Sequence, residues 1–336
     1  MEKKKIKIKF QNGLLFESGI ADILRELLAD FEFENSEHPD FIIFGPYGND
    51  LPPPGDYVRI GYYCENIKPD MSLCEWAFGV PREEDVMHPH YKRIQWHGLN
   101  PQILVKPADY DAGKISASKT KFCNFLYSHK VPYREAFFAR LSKYKKVDAP
   151  GKSMNNMPSV DSLYAGDKWL IKRQFLSEYK FTIAFENDVF PGYQTEKLYD
   201  AMQANSIPIY CGDPFIGDIF NTRSFINVNE YLPRRNAGLI NRLEKWGQMD
   251  FEDIRPQYLY GPKYRVKRKV KSLIRTSRAK IQCAEKDFDR VIDQIIALDS
   301  DPKLYQQYLE QPWFTNNAVP ESSLSTKRWT EIFNSR

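Results

Sequence analysis

The sequence has few cysteines, and they are scattered along the chain. The five are Cys64, Cys74, Cys123, Cys211 and Cys283, an odd number with no CxxC pair. Disulfide frameworks and structural zinc sites both require clustered or regularly spaced cysteines. We therefore expect neither kind of site, and the pattern is typical of a cytosolic protein.

Long apolar runs are also missing. No stretch approaches the roughly 18 consecutive apolar residues that a membrane-spanning helix needs. The basic residues 1–10 are not followed by the apolar stretch of a signal peptide, and their alternation predicts a half-buried strand instead. We expect a cytoplasmic protein, with peripheral contact at the inner face of the membrane as an alternative.

A strong overall charge is absent as well, since the formal net charge is only +4. Nine lysines and arginines nevertheless fall in residues 263–280, which contain no acid. Four apolar residues recur there at helical spacing (Val266, Val270, Leu273 and Ile274), so the segment predicts a basic amphipathic helix. Such a helix either packs its apolar side on the protein or contacts anionic lipid headgroups. We expect no nucleic-acid partner.

What the sequence does contain is enough apolar material for two cores, with 336 residues of which 42% are hydrophobic. Predicted strands and helices alternate, which favours parallel sheets covered by helices. We expect an α/β protein of two Rossmann-like, doubly wound domains facing a cleft, with functional residues in strand-to-helix loops. The predicted domains are 1–115 and 116–310, and a tail, 311–336, is expected to pack back on the first.

One segment, residues 179–214, concentrates the chemistry. Its sequence, YKFTIAFENDVFPGYQTEKLYDAMQANSIPIYCGDP, predicts a strand, loop, helix, strand and turn. Glu196 and Lys197 fall in the first turn of the helix, where free backbone N–H groups and a partial positive charge suit a diphosphate. Lys197 adds a charge there, and Glu196 offers an acceptor for ribose hydroxyls. The alternative is an ordinary surface helix with a solvated Glu–Lys pair.

The segment resembles the signature of the α1,3/4-fucosyltransferase family (glycosyltransferase family 10, bacterial type), in its FEN, GY-x-TEK and IPIY-x-G-x-P blocks. Residues 61–79 and 124–151 resemble further blocks of that family. The resemblance implies a GT-B fold with an acceptor-binding domain, 1–115, and a GDP-fucose-binding domain, 116–310. It implies inverting transfer of L-fucose from GDP-β-L-fucose, most specifically α1,3-transfer, to a GlcNAc-type hydroxyl of LacNAc or of a lipopolysaccharide-like glycan.

The resemblance also implies roles for five donor-site residues. Arg134 and Lys197 would hold the diphosphate, Glu196 would bind the ribose, and Asn187 and Tyr193 would line the donor pocket. Without a metal, such cations must disperse the negative charge that builds up on departing GDP. We expect no cofactor and no metal requirement.

The general base implied by the resemblance is Glu65. An inverting transfer needs one base to accept the proton of the attacking hydroxyl. If the alignment is displaced, Glu75 or Glu83 takes this role. The sequence 299–301, Asp-Ser-Asp, is a literal DxD, but the proline that follows predicts a helix end and a turn rather than a metal site.

Aromatic residues near the predicted base form a weaker candidate site. Tyr62, Tyr63, Trp76 and Trp96 are candidates for a sugar-binding wall in the acceptor domain, and the alternative is that they belong to the core. Two rival functions remain at this point. One is a GT-B transferase that uses another nucleotide sugar, and the other is a non-catalytic membrane or nucleic-acid binder acting through residues 263–280.

Overall fold

A computed structural model describes residues 3–232, 237–283 and 288–336 of the chain. The chain divides into two compact units. Unit 1 contains Met1–Asn100, Arg242–Arg275 and Pro320–Arg336, and unit 2 contains Pro101–Asn241 and Thr276–Val319. The division differs from the predicted boundaries, because residues 101–115 join unit 2 and residues 242–275 return to unit 1. Of the predicted tail, the last 17 residues belong to unit 1.

The strands of the described residues form three parallel sheets. In chain order they are β1 (Lys4–Gln11), β2 (Phe31–Asn35), β3 (Phe41–Phe44), β4 (Val58–Tyr63), β5 (Ile67–Lys68), β6 (Trp76–Gly79), β7 (Tyr91–Arg93), β8 (Lys121–Asn124), β9 (Val147–Asp148), β10 (Tyr179–Phe185), β11 (Ile207–Cys211), β12 (Ile226–Asn227) and β13 (Met249–Asp250). All of their pairings are parallel, as β/α alternation predicts.

Helices connect these strands and cover the sheets. They are α1 (Phe16–Asp22), α2 (Glu83–Val86), α3 (Ala112–Ser118), α4 (Pro132–Leu141), α5 (Lys168–Ser177), α6 (Glu196–Gln203), α7 (Ala237–Gly247), α8 (Phe251–Ile254), α9 (Pro256–Leu259), α10 (Pro262–Gln282), α11 (Asp289–Ser300), α12 (Pro302–Glu310) and α13 (Thr326–Phe333). None of them combines the length and the apolar character that crossing a bilayer requires.

Unit 1 is built on a six-stranded sheet in the order β2-β1-β3-β4-β6-β7. The first strand alternates as predicted, and its Ile6, Ile8 and Phe10 are buried. Helix α13 covers this core, because its Trp329 stacks on Phe78 with ring centroids 4.0 Å apart. The end of the chain therefore contributes to the core that the beginning of the chain forms.

Unit 2 is built on a five-stranded sheet in the order β12-β11-β10-β8-β9. The central strand β10 is almost wholly buried, as expected for a parallel strand covered on both faces. Aromatic side chains of α4 pack on it, with Phe137 4.7 Å from Phe185 between ring centroids. This packing sets the position of α4 beside the carboxyl end of β10.

Helix α10 carries the basic segment, but three of its four apolar residues do not pack on the protein, which was one of the two alternatives. Val266 and Leu273 are 65% and 59% exposed, and Val270 is exposed as well. The protein-facing side carries Lys271 instead, whose Nζ lies 2.5 Å from the buried carboxylate of Asp253. A buried acid thus holds a lysine on the protein-facing side of α10, whereas three of the four apolar residues face solvent and Ile274 is half-buried.

Candidate functional site

The carboxyl end of β10 leads directly into a buried carboxylate, Glu186. Its Oε1 accepts a 2.8 Å hydrogen bond from the backbone N–H of Thr195, and its Oε2 accepts a 2.7 Å bond from the Thr195 hydroxyl. The side chain of Glu186 is fully buried. Burial raises the pKa of Glu186, against the opposing effect of the Lys197 ammonium group. Glu186 therefore ties the end of β10 to the start of α6.

Lys197 lies in the first turn of α6, as predicted. Its Nζ donates a 2.8 Å hydrogen bond to the hydroxyl of Thr195 and lies 3.5 Å from a carboxylate oxygen of Glu186. The side chain is 16% exposed. The ammonium group is therefore held close to the N-terminus of α6, where backbone N–H groups also favour an anion.

Glu196 occupies the first position of α6. Burial raises the pKa of Glu196, but the ammonium groups of Lys197 and Lys172 together bring it below its ordinary value. Their Nζ atoms lie 3.5 Å and 3.8 Å from its Oε1. Lys172 also pairs with Asp200 one turn further along α6. Glu196 is thus an ionised acceptor on a surface that α5 and α6 share.

Arg134 projects from the first turn of α4 and is fully buried. Its Nη2 donates a 2.8 Å hydrogen bond to Oδ1 of Asn187, and its guanidinium lies 3.8 Å from the ring centroid of Tyr127. The Nε and Nη1 atoms are buried without a hydrogen-bond partner in the described chain. Buried donors of this kind are costly unless a ligand satisfies them.

The two predicted diphosphate cations meet the same dipeptide. Arg134 contacts the side chain of Asn187, and Lys197 contacts the side chain of Glu186. In addition, the hydroxyl of Tyr133 donates to the backbone carbonyl of Glu186, which fixes α4 on the same point. The structure therefore brings the predicted residues of α4, of the loop and of α6 to one end of the unit 2 sheet.

The loop 187–195 connects β10 to α6 through a turn at Gly192. This glycine has a φ of 82°, and its N–H donates a 2.8 Å hydrogen bond to the buried carboxylate of Asp213. Tyr193 follows and is buried, with its N–H bonded to the carbonyl of Phe190. Asp213 belongs to the turn after β11, so this turn supports the loop that carries Tyr193.

Glu65 lies in unit 1, in the loop between β4 and β5. It is exposed, at the carboxyl end of its strand, which is where functional side chains of open α/β sheets gather. Burial raises the pKa of the nearby Tyr47, and a hydrogen bond with Glu65 and the charge of Glu65 raise it further.

The two alternative bases are held by arginine or lysine. Arg59 binds Glu75 through Nη2 at 2.5 Å, and although burial raises the pKa of Glu75, this contact brings it below its ordinary value. Lys92 lies 2.9 Å from Glu83. Both carboxylates are thus engaged in ion pairs within unit 1.

Two of the four candidate sugar-binding aromatics lie in the core, which is the alternative placement considered from the sequence. Tyr62 and Tyr63 are buried, Tyr62 between Phe78 and Trp329, and their rings are therefore withdrawn from any acceptor. Trp76 stacks on His90 at 4.1 Å, and Trp96 donates through Nε1 to Ser323. These two tryptophans are only partly buried, so they remain the candidates of this group.

The Asp-Ser-Asp segment forms a helix end and a turn, as its interpretation predicts. Asp299 is bound by Lys180 at 2.9 Å, and Asp301 caps α12 by accepting from the N–H of Lys303. Within residues 3–232, 237–283 and 288–336, no three His, Cys, Asp or Glu side chains are grouped for metal binding.

Several residues of the site were not singled out from the sequence. Tyr127 carries the guanidinium of Arg134 on its ring, and Glu186 anchors Thr195 and Lys197. Arg278 reaches the loop from α10 and pairs with Asp188. The FEN block pointed to Glu186 as a residue shared with the family. Nothing in the basic segment indicated that Arg278 is buried in this site, because Asp188 lies 90 residues earlier in the chain.

Comparison with known proteins identifies the part of the chain that carries this site. Residues 116–253 match the family model for the C-terminal domain of glycosyltransferase family 10 (fucosyltransferase). The match runs from the end of α3 to α8. The resemblance inferred from the motif is therefore confirmed, and the family 10 match includes Arg134, Asn187 and the first turn of α6.

Curated relatives of the chain include a viral and a bacterial protein. The chain is 43% identical over 117 residues to a putative fucosyltransferase of Acanthamoeba polyphaga mimivirus, covering 34% of the chain and 20% of the relative. It is 37% identical over 114 residues to an alpha-(1,3)-fucosyltransferase of Helicobacter pylori, covering 34% and 22%. The matches thus span only about a fifth of the length of these relatives.

The likeness of the fold extends over the whole chain. A crystal structure of an alpha1,3-fucosyltransferase with GDP-fucose matches with a TM-score of 0.65 and 20% identity, covering 100% of this chain and 91% of that one. A second crystal structure of an alpha1,3-fucosyltransferase matches with a TM-score of 0.64 and 20% identity. At this identity the likeness establishes the fold, so the expected GT-B class is confirmed.

Proposed function

We propose that the chain transfers L-fucose from GDP-β-L-fucose to a hydroxyl of a glycan, with inversion at the anomeric carbon and without a metal ion. The observation that carries the proposal is the buried guanidinium of Arg134, whose Nε and Nη1 have no partner in the described chain. The family 10 match over residues 116–253 and the fold shared with a GDP-fucose-bound fucosyltransferase support the choice of donor.

The donor half of the proposal follows from charge. Departing GDP gains negative charge as the glycosidic bond breaks, and fixed cations stabilise that charge best in a site where water is scarce. Arg134 offers buried N–H donors on Nε and Nη1 to phosphate oxygens, whereas Lys197 offers one compact charge. Glu196, kept ionised by Lys197 and Lys172, is suited to accept hydrogen bonds from the ribose hydroxyls.

The acceptor half needs a base, and Glu65 is the proposed one. It is exposed at the carboxyl end of β4, whereas Glu75 is bound by Arg59 with a pKa below its ordinary value. A carboxylate with a lowered pKa is a weaker base toward a sugar hydroxyl. We propose a GlcNAc-type acceptor, as in LacNAc or a lipopolysaccharide-like glycan, and α1,3 linkage.

A product analysis with paired donors tests this function. The chain is incubated with GDP-fucose or GDP-mannose and with LacNAc and lipopolysaccharide oligosaccharides, and products are characterised by mass spectrometry and NMR linkage analysis. The expected result is a fucosylated product from GDP-fucose alone, lost in Glu65→Gln and retained in Glu75→Gln and Glu83→Gln. Equal use of GDP-mannose would favour a GT-B transferase with another donor, and no product with bound GDP would favour a non-catalytic binder.

We propose in addition that the chain works in the cytoplasm and touches the inner face of the membrane through α10. Its five thiols are free, which suits a reducing compartment. The exposed stripe of Val266, Val270 and Leu273 is flanked by the exposed Lys263 and Lys269. Apolar side chains between lysines fit the boundary of an anionic bilayer.

Vesicle sedimentation tests this contact. The wild type is expected to bind vesicles that contain phosphatidylglycerol more strongly than vesicles of phosphatidylcholine alone. The double variant Val270→Asp, Leu273→Asp is expected to lose most of this binding. Ile103→Asp, which changes an exposed apolar residue of unit 2, serves as the matched control. Binding that survives in the double variant would contradict the assignment to α10.

A further inference from the structure

Arg278 of α10 forms a buried ion pair with Asp188, in the loop that connects β10 to α6. Its Nη2 donates to Oδ1 of Asp188, and its side chain is 1% exposed. The guanidinium also lies 5.4 Å from the ring centroid of Phe190, two residues further along the loop. One arginine therefore contacts the loop at two points.

The end of α10 that carries Arg278 is itself fixed in the core of unit 2. Ala279 packs against the main apolar cluster of that unit, and Cys283 is buried with its Sγ 3.9 Å from Sγ of Cys211. Cys211 is the last residue of β11, beside β10. Arg278 is thus held by a rigid element, so it can transmit that rigidity to the loop.

Two consecutive loop residues are each held by a buried arginine. Asn187 accepts from Arg134 of α4, and Asp188 accepts from Arg278 of α10. The loop then turns at Gly192 and delivers Tyr193 and the first turn of α6. The conformation of the loop determines where Asn187 and Tyr193 stand, and both are proposed to line the donor pocket.

We propose that Arg278 is a positioning residue for donor binding, which holds the loop 187–195 in its binding conformation through Asp188 without touching the donor itself. The inference rests on the proposed function for its substrate, GDP-fucose. A buried ion pair is weak evidence for a stabilising role, because the desolvation of both charges offsets most of their attraction. Fixing the geometry of a binding loop is the use that this location favours.

The experiment combines a readout of the loop with readouts of donor binding on four variants, and Arg278→Lys is added as the conservative variant. The variants are Arg278→Met, Asp188→Asn, the two together, and Arg140→Met as a control that breaks an exposed ion pair in the same unit, with Asp289. Hydrogen exchange of peptides covering 187–195 reports the loop directly and needs no activity. Steady-state kinetics with GDP-fucose, and calorimetry with GDP, report binding.

The proposal predicts faster exchange in the loop for Arg278→Met and Asp188→Asn, with no further increase in the double variant. It predicts a KM for GDP-fucose raised about tenfold, the loss expected when a charged hydrogen-bond partner is removed, with a smaller change in kcat. Arg140→Met should change neither. Arg278→Lys, which keeps the charge, should recover part of the KM.

Two results would overturn the proposal. In one, Arg278→Met lowers Tm but leaves loop exchange and KM at wild-type values, so the pair serves folding alone. In the other, Asp188→Asn leaves loop exchange and KM unchanged. This variant is nearly isosteric, so it still tests the proposal if Arg278→Met fails to fold. If the wild type does not transfer fucose, the proposed function fails, whereas the exchange data still decide whether Arg278 fixes the loop.

Discussion

Nη2 of Arg134 donates a 2.8 Å hydrogen bond to Oδ1 of Asn187. This contact joins the first turn of α4 to the residue that follows the buried Glu186 after β10. The guanidinium of Arg134 rests on the ring of Tyr127. Its two remaining donor atoms, Nε and Nη1, are buried and have no hydrogen-bond partner in the described chain. A ligand with two acceptor oxygens would satisfy both.

The first prediction concerns Arg134→Lys. Lysine keeps the charge but cannot reproduce the fixed donors of a guanidinium, so we expect kcat/KM for GDP-fucose to fall roughly 30- to 100-fold, about 2–3 kcal/mol of transition-state binding. Arg140→Lys, one and a half turns further along α4 and exposed, is the control and should retain activity. Wild-type kinetics in Arg134→Lys would show that the guanidinium does not contact the diphosphate.

A second prediction concerns Lys197→Met. The change removes the cation that we propose contacts the diphosphate, and it leaves the negative charge of the buried Glu186 nearby without its partner. The affinity for GDP should therefore fall about tenfold or more. The loss should be greater for GDP than for GMP, which has no β-phosphate. Calorimetry measures both, and Lys145→Met, which alters an exposed lysine of the same unit, is the control. Equal losses for GDP and GMP would place Lys197 away from the β-phosphate.

Gly192→Ala is the third prediction. The φ of 82° at this position disfavours any residue with a Cβ, so the change should destabilise unit 2 by about 1 kcal/mol and weaken GDP-fucose binding through the loop. Gly238→Ala places a Cβ in open space within a helix and should be neutral or slightly stabilising. Urea unfolding and calorimetry give the two quantities. An unchanged Kd would separate the turn from the donor pocket.

The fourth prediction concerns Lys106, which donates to the carbonyls of Leu309 and Gln311 beside Tyr110 and Trp313. Burial lowers the pKa of Lys106 to about 7, while Glu310 opposes this effect. Between pH 7 and the ordinary lysine pKa of about 10.4, the unfolded chain binds a proton that the folded chain does not.

The free energy of unfolding of the wild type, relative to Lys106→Met, should therefore rise with pH across this window, by up to roughly 1.4 kcal/mol per pH unit. Urea unfolding of both proteins at pH 7, 8 and 9 measures the difference. The contributions of groups that titrate in both proteins cancel in this difference in free energy of unfolding. A constant difference would mean that Lys106 keeps an ordinary pKa in the folded chain.

Much of the fold follows from patterns in the sequence. The alternation of Ile6, Ile8 and Phe10 fixes the buried face of β1, and the almost complete burial of β10 follows from its place at the centre of a covered parallel sheet. In residues 16–31 the apolar residues recur at helical spacing and predict an amphipathic helix, but α1 ends at Asp22 and a 3₁₀ helix, Arg25–Ala29, follows. Periodicity alone does not distinguish one long helix from two short ones.

The proximity of the candidate donor residues could be predicted because they are local. Asn187, Tyr193, Glu196 and Lys197 lie within one strand-loop-helix segment, and Arg134 opens a helix that packs on the same strand. The sequence does not show which residue pairs with a buried group when the partner lies far along the chain. Arg278, which pairs with Asp188, is the example here. The packing of α10 was not predicted either, because its apolar periodicity does not show that the buried Asp253 binds Lys271.

The central claim is that Arg134 and Lys197, and not a bound ion, neutralise the charge on departing GDP. The most direct measurement is the initial rate of fucose transfer by the same preparation in excess EDTA and in millimolar Mg²⁺ or Mn²⁺. The account predicts equal rates in all three, together with a loss of transfer in Arg134→Lys and Lys197→Met that no metal restores. Transfer abolished by EDTA and recovered on adding a divalent cation would contradict it.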